Sequence, residues 1–144
     1  MRTRKLLPFA FAVALAGCAA PAPTPQPGAP AREVPALNVQ FDCGACKPRG
    51  DAAKLIAEGY SEAAAQAGAK LNPSMQATLM VKAYTARDDT ARILTGVFAG
   101  RDEIKANVSY GSQQFQVEDY YANAWMGIDA LSRKIGELAF QKMK

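Results

Sequence analysis

The pattern of apolar and polar positions divides this chain into three stretches of different kind. The first is an apolar run from Leu6 to Ala16 behind the basic residues Arg2, Arg4 and Lys5, with the small residues Ala16 and Gly17 at its end. It is too short to cross a bilayer as a helix, which takes about 20 residues. A basic start, a short apolar middle and a small-residue end predict an export signal over 1–17. In the second stretch, from Ala19 to Ala36, Pro21, Pro23, Pro25, Pro27, Pro30 and Pro35 are interleaved mainly with alanine. Prolines at this density remove amide donors and fix φ, which predicts an extended, polyproline-like tether over 18–37 with a reach of roughly 50 Å.

The third stretch, 38–144, has the patterning of one small folded domain. Leu37-Asn38-Val39-Gln40-Phe41 alternates like a half-buried strand. Asp51 is placed to cap a helix running from Ala52 to about Ala67, stopped by Gly68, with Ala52, Leu55, Ile56, Gly59, Ala63 and Ala67 inward. Gln76 to Thr85 reads as a second strand, followed by the charged turn Arg87-Asp88-Asp89-Thr90. Ala91 to Ala99 is short and bounded by Asp89 and Gly100, and is read as a third strand. Glu103 to Tyr110 alternates strictly, with Ile104, Ala106, Val108 and Tyr110 on one face. Finally Tyr121, Ala124, Ile128, Leu131, Ile135 and Leu138 recur at helical spacing, with Trp125 and Ala139 widening the stripe, Asp119 as N-cap and Lys142 and Lys144 at the far end. Strand, helix, three strands and a long helix predict an α+β domain: an antiparallel sheet of about four strands covered on one face by two helices.

Charge changes less than it first promises. The formal net charge is +4, from 17 basic and 13 acidic residues. Arg2, Arg4 and Lys5 supply three of those charges, so cleavage of the signal leaves a chain close to neutral and removes the argument for a nucleic-acid partner. The absence of histidine matters more. It removes the imidazole base, the Ser-His and Cys-His couples and the mixed metal sites, which points to binding rather than catalysis, with no cofactor or metal.

Leu15-Ala16-Gly17-Cys18 resembles the lipobox of bacterial lipoproteins. The resemblance implies that the chain is cut before Cys18, and that this cysteine carries a diacylglycerol thioether and further acyl chains, palmitate among them. Ala19 in place of the usual retention aspartate implies sorting to the outer membrane, facing the periplasm, with the cell surface as the other orientation such an anchor allows. Several acyl chains hold a protein on a membrane far more firmly than one.

The two other cysteines form Cys43-Gly44-Ala45-Cys46. This superficially resembles the thioredoxin motif, in which a helix N-terminus activates the first thiol. No strand is expected at βαβ distance before it, and Pro73 is not placed as the family's cis-proline. A disulfide formed in the oxidising periplasm and pinning the turn is the favoured reading, a redox pair the second, and metal ligation the third.

Arg92-x-x-x-Gly96-x-x-x-Gly100-Arg101 followed by an alternating strand resembles envelope lipoproteins of the domain-of-unknown-function kind. Their α/β domain is similar to the curli-secretion lipoprotein and to the amino-terminal domain of the Tol translocation protein. The resemblance implies protein-protein work in the envelope, with Arg92, Gly96, Gly100 and Arg101 as pattern positions; for the two glycines a bend and a tight turn are the favoured reading over a binding role. The aromatic group Phe115, Tyr120, Tyr121 and Trp125 is the candidate partner surface, with core packing as its alternative. The resulting expectation is a non-enzymatic lipoprotein, membrane-bound through its anchor, that binds an envelope protein or associates with itself. A periplasmic thiol-disulfide protein using Cys43 and Cys46 is the second reading. A small-ligand or lipid-binding domain, with a cleft between the last helix and the sheet, is the third.

Overall fold

A computed structural model describes residues 31–88, 90, 94 and 100–144. Its elements in chain order are β1 (Glu33–Phe41), α1 (Ala52–Gln66), β2 (Lys70–Thr85), β3 (Asp102–Tyr110), β4 (Gln113–Tyr121) and α2 (Ile128–Met143). The strands form one sheet in the order β1-β2-β3-β4. Both helices lie on one face of it, so the α+β architecture expected from the patterning is the one observed.

The sheet is mixed rather than antiparallel. β1 and β2 run parallel, because α1 carries the chain back across the sheet between them and a hairpin would be needed to reverse it. β1 also begins at Glu33, earlier than its alternation showed, so Pro35 lies inside a strand. That position is tolerable because β1 is an edge strand, and the β1–β2 register breaks between Pro35 and Ala36. Opposite the break, Asn72 is partnered by Pro35 and Gln76 by Ala36, which leaves Pro73, Ser74 and Met75 outside the pairing. The Asn72 side chain accepts the Ser74 N–H at 2.8 Å and closes this bulge.

β3 and β4 form a tight hairpin around Gly111, whose φ is +58°, and their register is continuous from Asp102↔Tyr121 to Tyr110↔Gln113. This hairpin corrects the sequence reading in two places. Asp119 and Tyr121 lie in β4, not at the start of the last helix, and that helix begins at Ile128 after Gly127, with no side-chain cap. Tyr121 satisfies both periods, so the helical spacing extends back into a residue that belongs to β4. The expected strand Ala91–Ala99 falls mainly outside the described residues; Thr90 and Leu94, which are described, are helical.

The core lies between sheet and helices. Leu79 and Val81 of β2, Ile104, Ala106 and Val108 of β3, and Val117 of β4 meet Ile56 and Tyr60 of α1 and Ile128, Leu131, Ile135 and Ala139 of α2. Burying each large aliphatic side chain here contributes about 1.5–3 kcal/mol. Ala67 proves exposed and Leu55 only half-buried, while Tyr60, missing from the expected inward set, is completely buried. Its ring meets Phe140 edge-on at 5.8 Å, and its hydroxyl donates to the Pro35 carbonyl at 2.9 Å, beside the register break. Asp51 occupies the N-cap position of α1 without a side-chain capping bond, and Gly68 ends the helix with φ +68°.

The opposite face of the sheet carries no element among the described residues. Asn38, Gln40, Thr78, Met80, Asn107, Ser109, Gln114 and Gln116 alternate with the core-facing set there, and Glu103, Lys105 and Glu118 continue the same phase as a charged end of that face.

Candidate docking surface at the Arg87 end of the sheet

The inward phase of β3 reads Asp102, Ile104, Ala106 and Val108, so alternation places a carboxylate in the core. Asp102 is fully buried, and such a charge is tolerable only with a close counter-charge and satisfied lone pairs. Arg87, two residues past β2, supplies both. Its backbone N–H donates to Oδ1 at 2.7 Å, and its Nε and Nη2 donate to Oδ2 at 3.2 and 2.9 Å. The remaining guanidinium hydrogens reach outward to backbone carbonyls: Nη1 donates to Gly100 and Ala122 at 3.4 and 3.3 Å, and Nη2 to Asn123 and Met126 at 2.8 and 3.5 Å. One planar cation thus ties together the end of β2, the start of β3 and the loop joining β4 to α2.

That loop is closed again from within, since the Asn123 side chain accepts the N–H groups of Trp125 at 3.1 Å and Met126 at 2.7 Å. The fixed backbone presents Trp125 to solvent at 93% exposure. Of the five large apolar or aromatic side chains that stand exposed among the described residues, three belong to this end: Tyr120 at 54%, Trp125 and Met126. Arg101 lies over the Tyr120 ring, 5.0 Å from its centroid, and also pairs with Glu103 at 3.1 Å. Lys105 bridges Glu103 and Glu118 on the same face at 3.1 and 3.7 Å. These contacts hold the Glu103 carboxyl below its usual range, mainly through its hydrogen bond with Lys105, and raise the Lys105 ammonium for the same reason. The result is an aromatic and apolar tip beside a rim of paired charges, the usual anatomy of a protein-binding surface.

The four aromatic residues singled out by sequence therefore part company. Tyr120 and Trp125 face solvent at this end, whereas Phe115 and Tyr121 are half-buried against the core, and burial pushes the Tyr121 phenol above its ordinary value. Among the pattern positions, Gly100 has φ +85° and lends its carbonyl to Arg87, and Arg101 packs on Tyr120; Arg92 and Gly96 lie outside the described residues. Cys18 lies outside them too. Arg87 and Asp102 were missed as a pair, although a charge in the inward phase of an alternating strand is the signal that would have found them.

Cys43 and Cys46 stand with their Cα atoms 5.5 Å apart and their sulfurs at bonding distance, half-buried against the core between β1 and α1. Strand β1 does precede the motif, and β1, α1 and the parallel β2 make a βαβ unit, so the expectation that no such context surrounds the pair is corrected. Residues 47–51 separate Cys46 from the first turn of α1. In this segment the Arg49 backbone N–H donates to the Tyr84 hydroxyl at 3.4 Å and its side chain pairs with Asp129 of α2 at 3.4 Å; before the cysteines, Asp42 pairs with Lys82 of β2, which holds the Asp42 carboxyl below its ordinary value.

A groove of about 370 Å³ lies along α1 and α2 below Met126 and Tyr121. Glu62, Arg133, Lys134 and Glu137 line it, and these charges pair among themselves, Arg133 with Glu62 at 3.0 Å and Lys134 with Glu137 at 2.9 Å. The small residues Gly59, Ala63 and Ala130 complete its lining. No protein-family model matches the chain, and no curated protein sequence matches it.

Proposed function

We propose that this chain is an outer-membrane lipoprotein of non-enzymatic kind, anchored by acyl chains on Cys18 and tethered through its proline-rich segment, whose α+β domain docks a protein of the cell envelope through the Trp125 end of the sheet. The observation that carries the reading is the exposure of Trp125 on a loop whose backbone is held by Arg87 and Asn123. A large aromatic side chain on a mobile loop would lose much of its contact energy in ordering; one presented on a fixed backbone loses little, the hallmark of a preorganised hot spot. The lipobox and the resemblance to the curli-secretion lipoprotein and the amino-terminal domain of the Tol translocation protein support the compartment, and the paired charges around Tyr120 support a polar rim. Chemical cross-linking on membranes followed by purification of the protein tests it. The account expects one envelope protein to be captured by the natural chain and lost with Trp125→Ala, with labelled fatty acid incorporated into both. Undiminished capture by Trp125→Ala contradicts the docking surface, and absence of fatty-acid label contradicts the anchor.

The βαβ setting of Cys43 and Cys46 supports a second reading as a thiol-disulfide protein. Full function of a Cys43→Ser/Cys46→Ser variant in the cell would eliminate it.

A further inference from the structure

The two edges of the sheet are built differently. β1 is guarded by Pro35 and by the register break beside it. β4 runs nine residues, Gln113–Tyr121, in unbroken register, without proline, lysine or bulge; its two charges, Glu118 and the inward-phase Asp119, lie toward one end and leave Gln113 to Val117 without an edge-protecting device. No other strand among the described residues lies along its outer side. In a hairpin closed by the two residues Gly111 and Ser112, the pair Tyr110↔Gln113 exchanges hydrogen bonds, and the odd positions of β4 then face β3. Gln114, Gln116, Glu118 and Tyr120 turn their N–H and C=O groups outward. The Tyr120 N–H fits this pattern, since it donates to the Asp119 side chain at 2.8 Å and not to β3.

We infer that the outer edge of β4 pairs antiparallel with β4 of a second copy of this chain, about a two-fold axis at Val117, joining the two sheets into one. A two-fold interface must be self-complementary, each residue facing in the partner what the partner's residue faces in it. An axis at Val117 sets Gln116 against Glu118 twice and Gln114 against Tyr120 twice, so amide donors meet carboxylates and no like charges oppose. The Gln116 side chain already makes this bond within one chain, donating Nε2 to Glu118 Oε2 at 3.3 Å. Moving the axis to Glu118 would oppose Glu118 with itself, which is unfavourable. Edge pairing with few side-chain contacts forms a weak dimer, and anchoring in one membrane raises its effective concentration. This association goes beyond the docking surface: it borders that surface at Glu118 and Tyr120 but does not involve Trp125, which lies outside the strand.

Cysteine pairing in the full-length chain, solubilised from membranes in mild detergent, reads both the dimer and its register. Gln116→Cys mixed with Glu118→Cys is expected to give at least about five-fold more disulfide-linked dimer than either variant alone or the unaltered chain. Equal yields in all samples, monomer throughout, or linkage of either cysteine to a different protein would overturn the proposal. Two surface substitutions that leave the β3 pairing intact add a signed readout: sedimentation of Gln116→Glu should show dimerisation weakened several-fold, and Gln116→Lys should show it strengthened. Identical sedimentation of the two variants would also overturn it.

Discussion

Gly59 of α1 and Gly136 of α2 each lie directly against the backbone of the opposite helix. A Cβ on Gly59 would overlap the Arg133 carbonyl oxygen and come within 2.7 Å of its carbon; one on Gly136 would overlap the Ile56 carbonyl oxygen and come within 2.6 Å of the Tyr60 nitrogen. Backbone cannot swing aside as a side-chain end can, so the helices must separate to admit even one methyl. Gly59→Ala and Gly136→Ala are each expected to lower unfolding free energy by about 3 kcal/mol. Gly50→Ala, where an added Cβ meets nothing within 4 Å, should change it by less than about 0.5 kcal/mol. Urea denaturation compares the three.

The Arg87–Asp102 pair makes a second prediction, for loop and stability together. Arg87→Met leaves the Asp102 carboxylate buried without its partner and frees the carbonyls of Ala122, Asn123 and Met126, at a cost of about 3–5 kcal/mol. Arg87→Met combined with Asp102→Leu should recover part of that loss. Because Trp125 is the sole tryptophan, its fluorescence anisotropy reports the loop directly and should fall in Arg87→Met under conditions where the domain remains folded.

Alkaline stability follows from Tyr60. Burial, with a smaller contribution from Tyr110, pushes its phenol up from the ordinary 10.0 to about 12. The folded state therefore holds this proton more tightly than the unfolded one, so the associated stability is complete below pH 10 and is lost as pH rises toward 12. Tyr60→Phe should flatten that decline and, by leaving the Pro35 carbonyl without its donor, cost about 1 kcal/mol at neutral pH. Thermal unfolding across alkaline pH measures both effects.

Thiol titration of the denatured, unreduced chain is expected to find Cys43 and Cys46 unreactive; two titrating thiols contradict the disulfide. A bridge spanning a sequence separation of three closes a very short loop, so Cys43→Ser/Cys46→Ser should lower stability by only about 2 kcal/mol.

What was legible in the chain was whatever a single period controls. Ile104, Ala106 and Val108 announced β3, and Ile128, Leu131 and Ile135 announced α2. β4 was not legible, because Phe115, Val117 and Tyr121 sit among glutamines, Asp119 interrupts the inward phase, and Tyr121 also fits the helical spacing that follows. The direction of β1 against β2 depends on where α1 returns the chain, a tertiary matter on which alternation is silent. Tyr60 does not stand out on a small-faced helix, because its burial depends on a tertiary partner: its hydroxyl donates to the Pro35 carbonyl beside the β1–β2 register break. The aromatic cluster was visible as composition, but only the strand phase separates the outward Tyr120 from the inward Tyr121, and only the Arg87 bonds explain why Trp125 is held out in the solvent.

Docking through the Trp125 end is tested most directly by placing a photoreactive phenylalanine at position 125 of the full-length chain in living cells, with Lys54 on the exposed side of α1 as the control position. Irradiation is expected to join position 125, and not position 54, to one discrete envelope protein. Equal labelling from both positions, or no adduct from position 125, would contradict it.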